Sequence, residues 1–237
     1  MDERGRRIVL PTGLVFVEKL PKTVIDADKA PREVREAARR LADEQKYFWN
    51  MLVAYAGKVG YEPPQGRQTI VLDLACGLCI EGAALSAFFG GNNFSYPSDM
   101  VKITGIDINP EEIESTAEFH ARFMPQVDIE FICGDAARLQ DYPQVPSEAD
   151  VVVIRNQHIM DNRAVWEKIF QTAIDRVTPE GIILLTSVNT AEHIAALVTL
   201  DQLNGEIALS STNQYAEEVE PGTTKPDRYM AIIRKRK

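Results

Sequence analysis

The segment at residues 69–82, Thr-Ile-Val-Leu-Asp-Leu-Ala-Cys-Gly-Leu-Cys-Ile-Glu-Gly, decides the fold class of this chain. Its first half, Thr69–Leu74, is a short apolar run of the kind that forms a strand buried on both faces. Small residues follow it, and a helical pattern begins at Glu81. A strand, a tight turn of small residues and a helix indicate an α/β protein in which a ligand approaches the backbone at the turn.

The charges around this turn are unusual for a phosphate-binding loop. No Lys or Arg occurs between Arg67 and Lys102, whereas Asp73 and Glu81 flank the turn. The Gly-Lys-Ser/Thr ending of a P-loop is absent. Glu81 stands where the pyrophosphate of a dinucleotide would meet the helix N-terminus, and it would repel that group. The pattern therefore predicts a nucleoside ligand that carries positive charge and no phosphate.

The rest of the chain alternates between apolar strands and helices. Strands are predicted at 101–107, 129–133, 150–155 and 181–186, and helices at 81–89, 111–123, 163–177 and 191–203. The closing strands, 206–210 and 229–234, have no helix between them, so we expect an antiparallel hairpin at one sheet edge. We predict a doubly wound, mostly parallel seven-stranded sheet with helices on both faces.

Residues 1–66 precede this pattern and are predicted to form an extended and helical cap, part of the same domain as residues 67–237. Short strands or extended segments are predicted within 8–26, followed by a helix from Pro31 to about Ala56, either continuous or broken in two. The helix carries aromatic side chains, which could line a ligand pocket or simply pack the helix onto the sheet. These side chains are Tyr47, Phe48, Trp49 and Tyr55.

Charge and cysteine content limit the partners and the compartment. The 237 residues carry a formal net charge of −9, which argues against bulk binding to DNA or RNA because phosphates are repelled. We interpret the basic run at 234–237 as a solvated chain end. Three cysteines without a signal peptide indicate a reducing compartment, so we predict a cytoplasmic protein. The apolar run near the N-terminus is too short for a membrane span, and no membrane partner is expected.

The turn resembles the first motif of class I S-adenosylmethionine-dependent methyltransferases, which usually has the form Asp-x-Gly-x-Gly-x-Gly. Asp73 and Gly77 match this motif, while Ala75 and Cys79 stand where glycines are common. The resemblance implies S-adenosyl-L-methionine as cofactor, bound by Asp73, Ala75 and Gly77. Its sulfonium and ammonium groups fit the charge pattern of the turn.

Cys76 and Cys79 also form a C-x-x-C pair. Such a pair could be redox-active or could supply half of a zinc site. Structural zinc takes four ligands, and the sequence has no second pair and no histidine cluster nearby. We interpret both cysteines as small residues in a tight turn and predict no metal site.

Two further strand ends fit the same family. Asp107 ends the second strand of the pattern, where an acid can accept hydrogen bonds from both ribose hydroxyls. By the resemblance, Ile108 would pack on the adenine face, Asp135 would accept from the adenine amino group, and the Ala136 N–H would donate to the ring. The residues alone leave alternatives open: an ordinary turn residue at Asp107 and a helix N-cap at Asp135.

The fourth strand end is the expected place of methyl transfer, because in the family it lies beside the transferred methyl group. The cofactor supplies the reactivity, and the protein mainly aligns the acceptor. Asn156 could orient a small-molecule acceptor, Arg155 could bind an acidic one, and His158 could act as a base. Alternatively, Arg155 and His158 are loop residues paired with nearby acids.

The sequence therefore predicts a methyltransferase that acts on a small molecule rather than on nucleic acid, and it leaves a peptide or protein acceptor open. Two other functions stay open at this point. One is a regulatory protein that binds S-adenosylmethionine without catalysis, and the other is an NAD-dependent Rossmann enzyme.

Overall fold

A mixed β-sheet with helices packed on both faces forms the centre of the protein. The computed structural model describes residues 7–9, 14–16, 32–90, 100–218 and 227–237. The strands are β1 (Arg7–Val9), β2 (Leu14–Phe16), β3 (Thr69–Leu74), β4 (Val101–Asp107), β5 (Ile129–Cys133), β6 (Ala149–Ile154), β7 (Val177–Ser187), β8 (Gly205–Thr212) and β9 (Tyr229–Lys235). The α-helices are α1 (Arg32–Tyr55), α2 (Gly82–Phe89), α3 (Pro110–Phe123), α4 (Arg163–Arg176) and α5 (Thr190–Gln202).

Parallel strands form the middle of the sheet in the order β5-β4-β3-β6-β7. β9 pairs antiparallel with β7, and β8 pairs antiparallel with β9, so the predicted C-terminal hairpin is confirmed. At the opposite edge, β2 pairs antiparallel with β5 and β1 pairs with β2. These two strands add to the seven that the sequence predicts. The predicted doubly wound, mostly parallel α/β sheet is confirmed.

The strand order reverses beside β3. From β3 the chain moves outward through β4 to β5, and it then returns to β6 on the other side of β3. The carboxyl ends of β3 and β6 therefore flank the crevice where ligands bind in open α/β sheets. The turns that follow Leu74 and Ile154 lie at that crevice.

Local sequence explains where these elements begin and end. Every residue of β6 is buried, because its β-branched run packs between two helical layers. α3 begins after Asn109, whose side chain accepts hydrogen bonds from the N–H groups of Glu111 and Glu112, and Pro110 occupies the first turn. β7 begins at Val177 rather than at 181, so α4 ends one residue earlier than predicted.

Two apolar layers separate the sheet from its helices. Side chains of α1, α2 and α3 belong to one layer, and side chains of α4 and α5 belong to the other. α1 is continuous, and Phe48, Met51, Leu52 and Tyr55 are buried in the same layer as side chains of β3 and β4. Full burial of such a side chain stabilises the fold by about 1.5–3 kcal/mol. Within the described ranges, no helix is both long and apolar enough to cross a bilayer.

Candidate functional site

The turn between β3 and α2, residues 75–81, has an alternating left-handed backbone and is called the β3–α2 turn below. Ala75, Gly77 and Cys79 have φ angles of 55°, 50° and 43°. Glycine adopts this region freely, whereas other L-residues are strained there. Ala75 and Cys79 thus adopt a backbone conformation that glycine adopts freely. A Cβ placed on Gly77 would meet no described atom within 4 Å, so the backbone there is open to a ligand.

Asp107 lies at the end of β4, directly beside the β3–α2 turn. Its Oδ2 accepts a hydrogen bond of 3.0 Å from the N–H of Gly77, and its Oδ1 accepts one of 3.0 Å from the N–H of Asn109. Each carboxylate oxygen has two acceptor sites, so capacity for a further donor remains on both. Asp107 therefore links the two loops, and its ribose role stays a prediction.

The predicted adenine-binding residues lie at the next strand end. Asp107 pairs in register with Cys133, which brings the ends of β4 and β5 together. The side chain of Asp135 accepts a hydrogen bond of 2.9 Å from the N–H of Ala137, so it also caps the short 3₁₀ turn that follows. Ala136 is buried beside it, and Ile108 is 70% exposed. An exposed isoleucine next to Asp107 provides an apolar surface on which a flat ring could pack.

Asp73 and Glu81 are both buried at the two ends of the turn. Among the described residues, neither carboxylate oxygen of Asp73 has a hydrogen-bond partner of good geometry, although Cys79 and Glu81 lie close to it. Burial, followed by repulsion from Glu81, raises the pKa of Asp73 well above its usual value. Burial also raises the pKa of Glu81, although the neighbouring Arg155 opposes this shift.

Arg155 follows β6 and contacts three carboxylates, Glu44 of α1, Glu81 of the β3–α2 turn and Asp227, which together form the Arg155 cluster. The N–O distances are 3.0 Å to Glu81 and 2.7 Å to Asp227, and a third ion pair is made with Glu44. The guanidinium lies 4.9 Å from the ring centroid of Phe48, and the side chain is 10% exposed. Burial alone would lower the pKa of Arg155, but Asp227 and Glu81 outweigh it and raise the pKa, so the guanidinium stays charged.

These contacts correct two expectations. Arg155 is surrounded by protein carboxylates, so it has no free charge with which to bind an acidic acceptor. The alternative, in which Arg155 pairs with nearby acids, is the observed one. The β3–α2 turn is also not without a cation, because Arg155 reaches Glu81 from the end of a neighbouring strand.

The other two predicted catalytic residues have different surroundings. Asn156 belongs to the buried network: its Nδ2 donates to Asp227 at 2.9 Å, and its Oδ1 accepts from the Asp227 N–H at 2.8 Å. The side chain of Gln157 donates to the Ala75 carbonyl at 3.0 Å and so contacts the β3–α2 turn. His158 is exposed, at the start of a short 3₁₀ turn. The structure thus brings Arg155 and Asn156 together and leaves His158 at the surface.

Sequence analysis missed Glu44, Asp227 and Asn213. Asn213 donates to the hydroxyl of Tyr47 at 2.8 Å and to the Asp227 carbonyl at 2.9 Å. These residues come from segments that are far apart in the sequence, and no local pattern connects them. The pKa of Tyr47 is raised, mainly by burial and then by Asp227, so its hydroxyl stays protonated.

Comparison with known proteins gives one family match and several solved structures of similar fold. Residues 65–236 match the family model of a methyltransferase domain. No curated protein sequence matches the chain. An S-adenosylmethionine-dependent methyltransferase from Clostridium acetobutylicum has a similar structure, with a TM-score of 0.55, 11% identity, and coverage of 81% of this chain and 92% of that chain.

Two further solved structures share the fold. TrmN from Thermus thermophilus has a TM-score of 0.53 and 14% identity over 78% of this chain and 47% of that chain. The [4+2]-cyclase SpnF has a TM-score of 0.54 and 14% identity over 76% of this chain and 79% of that chain. At these identities the likeness extends to the fold and not to the reaction.

Proposed function

The chain belongs to the methyltransferase-domain family, and from this premise we propose that it methylates a small-molecule acceptor. The protein is an S-adenosyl-L-methionine-dependent enzyme, and the bound cofactor supplies an activated methyl group on a sulfonium. The observation that carries the proposal is the β3–α2 turn, which has a left-handed backbone at Ala75, Gly77 and Cys79 and lies beside Asp107.

The proposed cofactor-binding residues surround one edge of the sheet. We assign Gly77 and Ala75 to the backbone approach, Asp107 to the ribose, and Ile108 to the adenine face. Asp135, Ala136 and Asp73 complete the proposed set. The open space above Gly77 and the exposed side chain of Ile108 support this assignment, because both leave room for a ligand.

The electrostatics of the site support a cationic ligand and a non-acidic acceptor. The Arg155 cluster has three carboxylates and one guanidinium, which leaves an excess of negative charge at the end of β6. A sulfonium is attracted by such a field, and an acceptor carboxylate is repelled. We therefore propose a neutral or cationic acceptor.

α1 reaches the end of β6 through the Glu44–Arg155 ion pair, and this proximity supports a small acceptor. The hydroxyl of Tyr55 donates to the Thr212 carbonyl at 3.1 Å and accepts from the Gln214 N–H at 3.0 Å. These bonds join the last residue of α1 to the end of β8 and to the segment after it. The net charge of −9 further disfavours nucleic acid as partner.

The roles at the end of β6 follow from exposure and bonding. Asn156 is engaged with Asp227, so we propose that it shapes the base of the acceptor site. His158 is exposed, and we propose it as the base for acceptors that must lose a proton.

Cys76, Cys79 and Cys133, all within the described chain, are free thiols, which supports the proposed cytoplasmic location.

A binding and turnover experiment tests this function. We expect calorimetry to show binding of S-adenosyl-L-homocysteine, the demethylated cofactor. When small amines, phenols or thiols are supplied with S-adenosyl-L-methionine, we expect mass spectrometry to show formation of S-adenosyl-L-homocysteine. Carboxylic acids in the same panel are the control that we expect to remain unmethylated. Exclusive methylation of RNA or a protein would contradict the acceptor class, and binding of NAD in place of the nucleoside would contradict the site.

A further inference from the structure

The β3–α2 turn retains its left-handed backbone although two of its family glycines are missing. Ala75 and Cys79 occupy a region of the backbone map that disfavours L-residues. Without further contacts, the turn would gain stability by rotating these residues out of that region. Some other part of the chain must therefore stabilise the observed conformation.

Two side chains of α3 contact consecutive carbonyl groups of the turn. The hydroxyl of Thr116 donates to the Gly77 carbonyl at 2.9 Å. Nε2 of His120 lies 3.1 Å from the Leu78 carbonyl and 3.0 Å from the Cys79 carbonyl. Thr116 and His120 are four residues apart, so they lie on the same face of α3, and they are called the α3 pair below.

The tautomer of His120 follows from its partners. Carbonyl oxygens only accept hydrogen bonds, so Nε2 must carry the proton that it shares between them. Nδ1 is buried and has no partner among the described residues, which agrees with an unprotonated nitrogen. The ring lies 4.9 Å from that of Phe131, centroid to centroid, so its orientation is fixed from the other side.

We propose that Thr116 and His120 are positioning residues that maintain the β3–α2 turn in its cofactor-binding conformation in place of the missing glycines. This inference rests on the proposed role of the turn in binding the cofactor. The hydrogen bonds of the α3 pair offset the backbone strain at Cys79, and glycine at that position would not have this strain. The contribution is conformational: without the pair, a fraction of molecules has a relaxed turn, and the apparent affinity falls by that fraction.

The test combines removal of the pair with changes at position 79. Cys79→Gly and Cys79→Ala both remove the thiol, but only Cys79→Gly relieves the strained φ. Thr116→Val removes the hydroxyl at constant shape, and Thr116→Ser retains it. Each Thr116 variant is made in the wild-type, Cys79→Ala and Cys79→Gly backgrounds, and S-adenosyl-L-homocysteine affinity is measured by calorimetry.

The expected result is a loss of affinity that depends on the residue at position 79. Thr116→Val lowers the affinity about tenfold in the wild-type and Cys79→Ala backgrounds, and less than about threefold in the Cys79→Gly background. Thr116→Ser stays within about threefold of its parent in every background. His120→Phe and His120→Gln repeat the comparison at a second position, since only the glutamine retains an N–H donor.

Equal losses in all three backgrounds would overturn the proposal, because the pair would then act independently of the strain. Unfolding free energies from urea titration separate this failure from a failure of the proposed function. If Thr116→Val destabilises the fold less in the Cys79→Gly background than in Cys79→Ala, the positioning role is supported. If that stability difference is found but neither Thr116→Val nor Asp107→Ala changes the affinity for S-adenosyl-L-homocysteine, the positioning role stands and the turn is not the cofactor site.

Discussion

Ala75 is the residue at which backbone strain in the site is easiest to relieve. Its φ of 55° suits glycine, and its methyl group is only half-buried. Relief of the strain outweighs the extra chain entropy of glycine, so we expect Ala75→Gly to raise the free energy of unfolding by about 0.5–1 kcal/mol in urea titration. Ala195→Gly is the matched control, because Ala195 is half-buried in the middle of α5. We expect this change to lower the free energy of unfolding by about 1 kcal/mol. A loss at both positions would contradict the strained backbone.

Asp107 is the residue on which the ribose assignment depends. Removal of its carboxylate leaves ribose hydroxyls without a charged acceptor, so we expect Asp107→Ala to weaken S-adenosyl-L-homocysteine binding by about 1–3 kcal/mol in calorimetry. Because Asp107 also accepts from Gly77 and Asn109, the thermal midpoint must be measured alongside. An affinity equal to that of the wild type, in a folded variant, would refute the assignment.

His120 makes the stability of the fold depend on pH. Burial lowers its pKa to about 4, from an ordinary value of 6.5 that it regains on unfolding. Below pH 6.5 the unfolded chain therefore takes up a proton that the native ring does not, so this contribution to stability is complete above that pH and is lost towards pH 4. From about pH 7.5 to about pH 5, we expect the wild type to lose about 2 kcal/mol more unfolding free energy than His120→Gln. Parallel losses in the two proteins would show that His120 is not the group responsible.

At the scale of single elements, α1 packs its buried side chains in the same layer as side chains of the sheet. Leu52 is fully buried against the sheet, whereas its neighbour Val53 is 47% exposed. We expect Leu52→Ala to lower the free energy of unfolding by about 2–5 kcal/mol, and Val53→Ala to change it by less than about 0.5 kcal/mol.

We propose that residues 1–66 and 67–237 form one cooperative unit. If a chain of residues 67–237 melted at the wild-type midpoint, the cap would instead be an independent appendage.

Most elements could be predicted from the sequence because short runs of apolar residues indicate which segments are buried. β3, β4, β5 and β6 are apolar runs, and α3 begins at Pro110, one residue before the predicted start, after the capping residue Asn109. The placement of strands relative to one another could not be predicted in full. The pairing of β2 with β5 joins segments with no local relation, and nothing in the sequence of β2 specifies its neighbour.

The candidate site shows the same division between local and distant information. The turn positions of Ala75, Gly77 and Cys79 follow from the motif, because backbone conformation there depends on neighbouring residues. The charge argument failed in one respect, because it counted only residues near the turn. Arg155, 74 residues beyond Glu81, balances that carboxylate, and only the fold brings the two together.

At the scale of the whole molecule, Arg155 connects α1, the β3–α2 turn and the segment before β9. Arg155→Met would leave three carboxylates with no cation between them, and we expect the free energy of unfolding to fall by about 3–5 kcal/mol. Arg155→Lys is the control that retains the charge but loses the planar donors, and we expect an intermediate loss. Chemical denaturation at neutral pH measures both. Equal stability of Arg155→Met and the wild type would mean that the cluster does not contribute to stability.

The Arg155 cluster also constrains the order of events while the chain folds. Its ion pairs join residues separated by 111, 74 and 72 positions. Such distant contacts form late, because loop closure must precede them. A nascent chain that ends before residue 227 lacks one of the three carboxylates that contact Arg155, however well its first strands have formed. The contact between the end of β6 and the segment before β9 therefore forms only after residue 227 has been synthesised, when most of the sheet is already available to pack.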